Sequence, residues 1–401
     1  MNKNMLYLLV ILLISMSGFT QEDANSTFLE REHLLGDWGG ARSYLEDRGL
    51  NLELIYTAEL FRNVSGGQRT GGDYRGDISL FMELDTETAG WWDNGTFFVH
   101  LQEQHGYGIT NKYVGDSQVL SNIDADDYKQ ISEIWYLHRL LDDRLWIKLG
   151  KMEGNADFAF VDYGGEFINS SAGFHPTIPL VTYPDQDWGV VVGIEPVDWF
   201  SMNIGVYQGR PDGGRSISST LDNLYGPMLM IEPAFHYTIW DRSGHLRIGG
   251  WWNGDRFDEL DLSNPAPGTF GESYGFYLSS DQVVWKENQD DEDEQGIGVF
   301  AQYGFSPEER SEINHYIGGG VKWIGAISTR DDDVIGLGIF HIDFSDEAGL
   351  VDNGETAVEL FYKYQALGWM SLKPEVQYIT NPGGVGADDA LALGVRIEIS
   401  F

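Results

Sequence analysis

The sequence predicts an all-β protein, a transmembrane antiparallel β-barrel of about sixteen strands. The first observation is residues 391–401, where apolar side chains occupy every second position and Arg396 and Glu398 share the opposite face. Strand side chains alternate between two faces, and a strand with lipid on one side and water on the other requires this division. A soluble sandwich also alternates, but it would not keep charges on one face of so many consecutive strands.

The first twenty residues predict a secretory signal peptide. Lys3 supplies a positive start, residues 6–14 are apolar, and residues 15–20 are smaller. The apolar stretch is too short to span a bilayer as a helix. A buried core helix is the alternative, and we expect cleavage near Thr20-Gln21.

The composition favours strands, tight turns and interfacial aromatics. Aromatic residues make up 13% of the chain and glycine 50 of its 401 residues, which suits a barrel. No long apolar segment follows the signal, which excludes a helix-bundle membrane protein. Cysteine is absent, which excludes a lipoprotein anchor, disulfides and thiol catalysis. The net charge of -38 argues against nucleic acid as a partner.

Sixteen segments alternate over typical barrel-strand lengths, an even number as single-chain bacterial barrels require. Their connectors alternate between compact turns and longer loops, which matches periplasmic turns and extracellular loops. Residues 286–295 and 328–332 are long for periplasmic turns. The strands are expected to start near Leu50, Gly76, Gly95, Tyr128, Arg144, Trp188, Phe200, Pro227, Gly244, Tyr274, Gly296, Ile313, Asp333, Glu355, Trp369 and Asp389.

Tryptophans accompany several of the short turns. Trp92, Trp199, Trp240 and Trp369 are expected to form one aromatic girdle at the periplasmic interface.

Pro374 lies within a strand, where it removes a ladder hydrogen bond, so a bulge or local kink is expected there.

Several ordered motifs resemble one family, the carbohydrate-selective porins of the OprB type. Residues 34–42 (LLGDWGGAR) resemble the family's entry motif, and later segments recur in family order, among them 148–151, 157–159, 169–171, 300–302, 332–338 and 377–384. The resemblance covers nearly the whole mature chain. It implies a sixteen-stranded outer-membrane barrel, a short helix near the periplasmic mouth and passive entry of small sugars. It also implies a basic constriction, from which this acidic chain departs.

The resulting domain organisation has three parts. Residues 1–20 form the signal peptide, residues 21–49 an N-terminal periplasmic segment with a short helix, and residues 50–401 the outer-membrane barrel. The resemblance places Arg42 in the entry motif, where the alternative role is to tie the helix to the wall by bidentate hydrogen bonds.

The loop 154–187 is the best candidate for the constriction, because it is too apolar for an ordinary surface loop. We expect it to pack inward against the wall, with outward packing on a neighbouring subunit as the alternative. Strand parity adds charged wall residues that should point into the lumen. The candidate solute-pathway residues are Arg42, Lys148, Asp157, Phe158, Phe160, Asp162, Glu166, Asn169, Lys363, Glu375 and Arg396.

The predicted function is an outer-membrane porin for monosaccharides or small oligosaccharides, without catalytic residues, metal ligands or cofactor. The alternatives are a general or cation-preferring porin, a barrel enzyme and a secreted lectin-like sandwich. No Gly-x-Ser-x-Gly elbow or His-x-x-x-His pair supports an enzyme. A calcium-loop pattern from Asp291 fails, because Gln302 stands where the bidentate glutamate belongs. The expected partners are small sugars and outer-membrane lipids, with no nucleic acid and with a homotrimer left open.

Overall fold

A computed structural model describes residues 28–211, 214–217, 225–260, 267–288 and 293–401 of the chain. The predicted signal peptide, the residues that follow it to position 27, and part of the acidic run after Gln289 lie outside the described residues. Sixteen strands close a barrel, and each strand pairs antiparallel with its two neighbours. The barrel strands are β1 (Leu50–Ser65), β2 (Gly71–Asp85), β3 (Gly95–Gly106), β4 (Tyr128–Leu140), β5 (Leu145–Met152), β6 (Asp187–Val197), β7 (Phe200–Gln208), β8 (Pro227–Ile239), β9 (Arg242–Asn253), β12 (Ser273–Lys286), β13 (Gly296–Phe305), β14 (Ile313–Ile324), β15 (Val334–Phe344), β16 (Gly354–Leu367), β17 (Met370–Thr380) and β18 (Ala390–Ser400).

Two further strands, β10 (Phe257–Asp258) and β11 (Thr269–Phe270), form a separate two-stranded sheet in the connection between β9 and β12. The predicted barrel and its strand number are confirmed. Fifteen strands begin within two residues of the predicted positions, whereas β2 begins five residues early, at Gly71. Gly71 and Gly72 pair with Asn63 and Arg62, but a glycine pair carries no side-chain alternation from which a strand can be predicted.

The two faces of the wall differ as the alternation predicts. On β17 the side chains of Lys373, Glu375 and Gln377 are buried inside the barrel, whereas Pro374 and Val376 are exposed on its outer surface. Apolar side chains therefore form the outer surface of this strand and polar ones line its inner surface, as expected for a strand between lipid and lumen.

Of the bulge or local kink expected at Pro374, the bulge is wrong. The pairs Phe361↔Glu375 and Tyr364↔Leu372 keep one register on either side of the proline. The ladder between β16 and β17 is interrupted there, and the register shifts only between Gln365 and Leu367. The missing N–H of Pro374 is therefore accommodated without an inserted residue.

Three of the four tryptophans predicted to form the girdle have exposed side chains at the short turns, and the girdle itself stays a prediction. Trp92, Trp199 and Trp240 are 45%, 61% and 91% exposed. Trp369 is only 8% exposed, because it packs against Phe28 and donates a hydrogen bond from Nε1 to the Phe28 carbonyl oxygen. The N-terminal segment covers this tryptophan.

That segment lies at the short-turn end of the barrel, next to the pair β1 and β18. Its helix is short, Ala41–Glu46, and lies beside the start of β1. The Leu34 N–H donates to the carbonyl oxygen of Ser400 at 2.9 Å. Within the described part of the chain, no helix is long and apolar enough to cross a membrane. The predicted helix near the mouth is thus present and packs where the first and last strands meet.

Candidate solute pathway

The connection between β5 and β6, residues 153–186, folds back into the barrel and is called the inward loop below. Its backbone N–H groups of Ile168 and Asn169 donate to the two carboxylate oxygens of Glu359 at 2.8 and 2.9 Å. Glu359 is fully buried on the inner face of β16. A carboxylate that accepts two backbone N–H groups is a strong anchor, because charge-assisted hydrogen bonds are stronger than neutral ones.

A second carboxylate holds the loop on another side of the barrel. The Ala159 N–H donates to Glu232 Oε2 on β8 at 2.8 Å, and Tyr277 donates its hydroxyl to the same oxygen at 2.7 Å. Five strands separate β8 from β16 along this side of the barrel. The inward loop therefore spans the lumen between two anchoring carboxylates.

Aromatic packing adds to the anchoring. Phe167, which is 2% exposed, makes edge contacts with Phe300, Phe340 and Phe361 at ring-centroid distances of 5.4, 5.8 and 5.1 Å. Burial of a phenylalanine contributes about 1.5–3 kcal/mol, so this side chain alone is a substantial attachment to the wall. The expectation that the loop packs inward agrees with these contacts.

Two lysines of the wall bind Glu166 of the inward loop. Lys363 Nζ lies 2.7 Å from Glu166 Oε1, and Lys373 Nζ lies 2.9 Å from Oε2. Burial raises the pKa of Glu166, but the two ammonium groups outweigh it and lower the pKa to about 2. The carboxylate is therefore ionised over the whole neutral range, and it keeps part of its surface in the lumen.

Asp162 of the inward loop forms a second charged contact with the wall. Its Oδ2 lies 3.0 Å from His245 Nδ1 and 3.5 Å from Arg247 Nη2. Arg247 also donates to Asp281 Oδ2 at 2.8 Å, and its guanidinium stacks 4.0 Å from the centroid of the Phe160 ring. This group combines acidic, basic and aromatic surfaces at one level of the lumen.

The side chains of Phe160, Asp162, Glu166 and Lys363 keep surface exposed inside the barrel. Phe158 and Asn169 lie in the same loop but are 0% and 1% exposed. Phe158 packs against Tyr207, and Asn169 binds Gln377 through its side chain at 3.1 Å. These two residues support the loop and have no surface to offer a passing solute.

Lys148 and Asp157 form an ion pair with each other, and their side chains are only 6% and 12% exposed. The pair attaches the start of the inward loop to β5, the strand that leads into it. The two charges therefore mainly bind each other and hold the loop, and they offer little surface to a solute.

The remaining three candidates are two residues of the wall, Glu375 and Arg396, and Arg42, which lies where the first and last strands meet. Arg42 lies on the N-terminal helix and binds backbone carbonyls, which is the alternative role considered for it. Glu375 is 4% exposed and accepts a hydrogen bond from Gln377 Nε2. Arg396 is 6% exposed and pairs with Glu59 at 2.6 Å. Glu375 and Arg396 have little surface in the lumen because neighbouring wall residues and a second loop cover them.

That second loop, residues 107–127, is not among the sequence-based expectations. It also turns inward, since Gln377 Nε2 donates to the Leu120 carbonyl at 2.8 Å and Ser121 Oγ donates to Glu59. Leu120 is 1% exposed. The apolar residues of this segment, Ile109, Val114, Val119, Leu120 and Ile123, are the sequence signal that could have revealed it.

Comparisons with known proteins agree with this architecture. A family model described as carbohydrate-selective porin, OprB family, matches residues 69–401. "Porin B" of Pseudomonas aeruginosa is 25% identical, with 92% of this chain and 91% of that protein aligned. "Putative porin QuiX" of Acinetobacter baylyi is 21% identical, with 93% and 94% aligned.

The high-pH structure of Pseudomonas putida OprB superposes with a TM-score of 0.84 at 22% identity, covering 94% of this chain and all of that one. This likeness supports the fold, and the family match extends over most of the barrel. The chain is therefore an outer-membrane channel protein, not an enzyme, and it belongs to the OprB family of carbohydrate-selective porins.

Proposed function

We propose that the inward loop forms the constriction through which small carbohydrates diffuse across the outer membrane. The observation that carries this proposal is the attachment of one loop to Glu232 and Glu359, which lie on strands with five others between them, so the loop is positioned across the lumen. A segment in this position limits the width of the path and contributes its own side chains to the surface that a solute meets.

The exposed groups of the loop suit neutral polyols. A sugar leaving water needs donors and acceptors that replace its hydrogen bonds to water without holding it tightly. Glu166 and Asp162 offer acceptors and Lys363 offers donors, while Lys363 and the buried Arg247 compensate the carboxylate charges locally. A free carboxylate or ammonium would favour ions over sugars.

Phe160 supplies the apolar part of the surface. Pyranose rings have an apolar face, and an aromatic ring that is held by a stacked guanidinium is a rigid platform for it. The ring is partly exposed, in contrast to Phe158 two residues earlier. We therefore assign Phe160 to solute contact and Phe158 to packing.

A general or cation-preferring pore is the competing function, and the net charge of -38 is the observation that favours it. Against it, several basic side chains of the wall lie close to the inward loop, namely Lys148, Arg247, Lys322, Lys363 and Lys373. These basic side chains offset part of the acidic charge around the loop.

Liposome swelling with neutral solutes of increasing size tests the assignment. Phe160→Ala should slow monosaccharide entry relative to that of a linear polyol of similar size, because the linear polyol does not stack on a ring. An equal change for both solutes would contradict a sugar-binding role for Phe160. The membrane lipids are the second expected partner, in agreement with the apolar outer surface, and the question of a homotrimer stays open.

A further inference from the structure

Three side chains of the kinds that bind metal ions lie in one row across neighbouring strands of the wall. His236 on β8 pairs directly with His245 on β9, and His245 pairs directly with Asp281 on β12. Directly paired residues point to the same face of a sheet with Cβ atoms about 4.5–5.5 Å apart. Their face is the lumenal one, since Arg247 and Ser279, two residues along these strands, also lie on it. The two imidazole rings are 4.8 Å apart.

The inward loop adds a fourth side chain over this row. Asp162 Oδ2 lies 3.0 Å from His245 Nδ1, and ligand atoms of Asp162, His245 and Asp281 all lie within 4.8 Å of one another. The side chains of Asp162 and His245 are 44% and 31% exposed, so an ion in the lumen can reach them. The four residues are spread over the positions from 162 to 281, which is why no short spacing in the sequence indicates them.

We propose that Asp162, His245 and Asp281 form a binding site for a divalent transition metal ion such as Zn²⁺, with His236 as an additional ligand. Imidazole nitrogens combined with carboxylate oxygens are the donors that Zn²⁺ binds in proteins. Nε2 of His236 shares a hydrogen bond with Ser201 Oγ at 3.1 Å. Its Nδ1 remains for the ion, and a hydrogen bond at the other nitrogen is the usual way in which a metal-binding histidine is oriented.

Arg247 sets the strength of this site. It donates to Asp281 at 2.8 Å and lies 3.5 Å from Asp162, so one guanidinium faces two carboxylates. With neutral histidines the group carries one net negative charge, which attracts a cation. An incoming ion must nevertheless compete with Arg247 for the carboxylate oxygens, and its positive charge opposes that of the guanidinium.

A bound ion would join the inward loop to the wall at the level of Asp162. It would also add two positive charges to the lumen. Metal binding should therefore shift the ion preference of the pore toward anions, without requiring any movement of the strands.

Titration calorimetry with Zn²⁺ alone tests the proposal on the folded, detergent-solubilised protein without a polyhistidine tag. Excess Mg²⁺ in the buffer occupies weak acidic sites, which this chain offers in number. The wild-type protein should show one saturable site, and His245→Asn should weaken it at least tenfold. Arg247→Gln should tighten it severalfold, which a purely structural role of this cluster would not produce.

His341→Asn is the matched control. His341 Nε2 lies 3.1 Å from Asp343 Oδ1 in a similar pair, but that pair lies on the outer face of β15, and no third His or carboxylate ligand joins it among the described residues. Heat-dependent gel mobility verifies that each variant is folded. Absence of saturable binding, or equal binding by the wild type and His245→Asn, would overturn the metal site and leave the carbohydrate channel untouched.

Discussion

Arg42 donates a hydrogen bond from Nη2 to the carbonyl oxygen of Phe401 at 2.6 Å. Its Nη1 donates to the carbonyl oxygen of Leu52 on β1 at 3.0 Å. One buried guanidinium thus joins the residue that follows β18 to the strand with which β18 pairs. The N-terminal helix, through this side chain, fastens the barrel where its first and last strands meet.

Arg42→Ala should therefore lower the stability of the barrel and leave the sugar cutoff unchanged. Hydrogen bonds from a charged donor contribute about 1.5–3 kcal/mol, and two carbonyl oxygens lose their partner. The temperature at which the folded band disappears from unboiled gels measures the effect. Arg48→Ala is the control, because within the described part of the chain Arg48 contacts Tyr44 of its own segment. A changed cutoff with unchanged heat resistance would return Arg42 to the solute pathway.

Glu359→Gln should loosen the inward loop. The amide keeps the shape of the side chain, but it accepts only one of the two N–H groups well and presents an NH₂ to the other. We expect larger current fluctuations in single-channel recordings and weaker discrimination between mono- and trisaccharides in liposome swelling. Glu398→Gln is the matched control for Glu359→Gln, since Glu398 also lies on the inner wall but binds Ser371 and not the loop. Equal behaviour of the two variants would contradict the anchoring role of Glu359.

The Glu166 contact itself should be insensitive to mild acid. The pKa of Glu166 is lowered to about 2 from 4.5, so its ion pairs stabilise the folded loop fully above pH 4.5. This stabilisation, on the order of 3 kcal/mol, is lost only as the pH falls from about 4.5 toward 2. The contribution of this contact to conductance and sugar cutoff should therefore be constant between pH 7 and pH 5. In the double variant Lys363→Met with Lys373→Met, conductance and sugar cutoff should begin to change at a higher pH.

Lys363→Gln and Glu375→Gln should differ in their effect on ion preference. Lys363 keeps a fifth of its side-chain surface in the lumen, and Lys373 still holds Glu166 when Lys363 is replaced. Its loss should shift the reversal potential toward cations while the sugar cutoff stays the same. Glu375 is almost fully buried, so its replacement should not shift the potential. Reversal potentials in a salt gradient separate the two expectations, and an equal shift would contradict the assigned surfaces.

The sequence predicts the wall better than the pathway, because strands have a period and loops do not. The alternation of Lys373, Glu375 and Gln377 with apolar neighbours is enough to identify the inner face of β17. Phe158 and Phe160 are both aromatic residues of one loop, and nothing in their spacing tells that only Phe160 keeps exposed surface. That distinction depends on Tyr207 and Arg247, which are distant in the chain.

The other differences between the sequence-based expectations and the structure arise where residues distant in the chain cover a side chain. Trp369 follows the turn pattern of the girdle, but Phe28 packs over it from a segment more than three hundred residues away. Parity places Arg396 on the inner face correctly, but it cannot predict that Asn122 of the second loop binds it at 2.6 Å.

The central claim, that the inward loop constricts the path, is tested most directly by a single thiol at Gly165. The chain contains no cysteine, and Gly165 is exposed in the loop with no atom near the position of an added Cβ. Gly271, in the connection before β12, is equally open and serves as the control. After complete labelling with a bulky thiol reagent, Gly165→Cys should lose most of its conductance and disaccharide uptake, whereas Gly271→Cys should keep both. Unchanged conductance and uptake in the fully labelled Gly165→Cys protein would contradict the account.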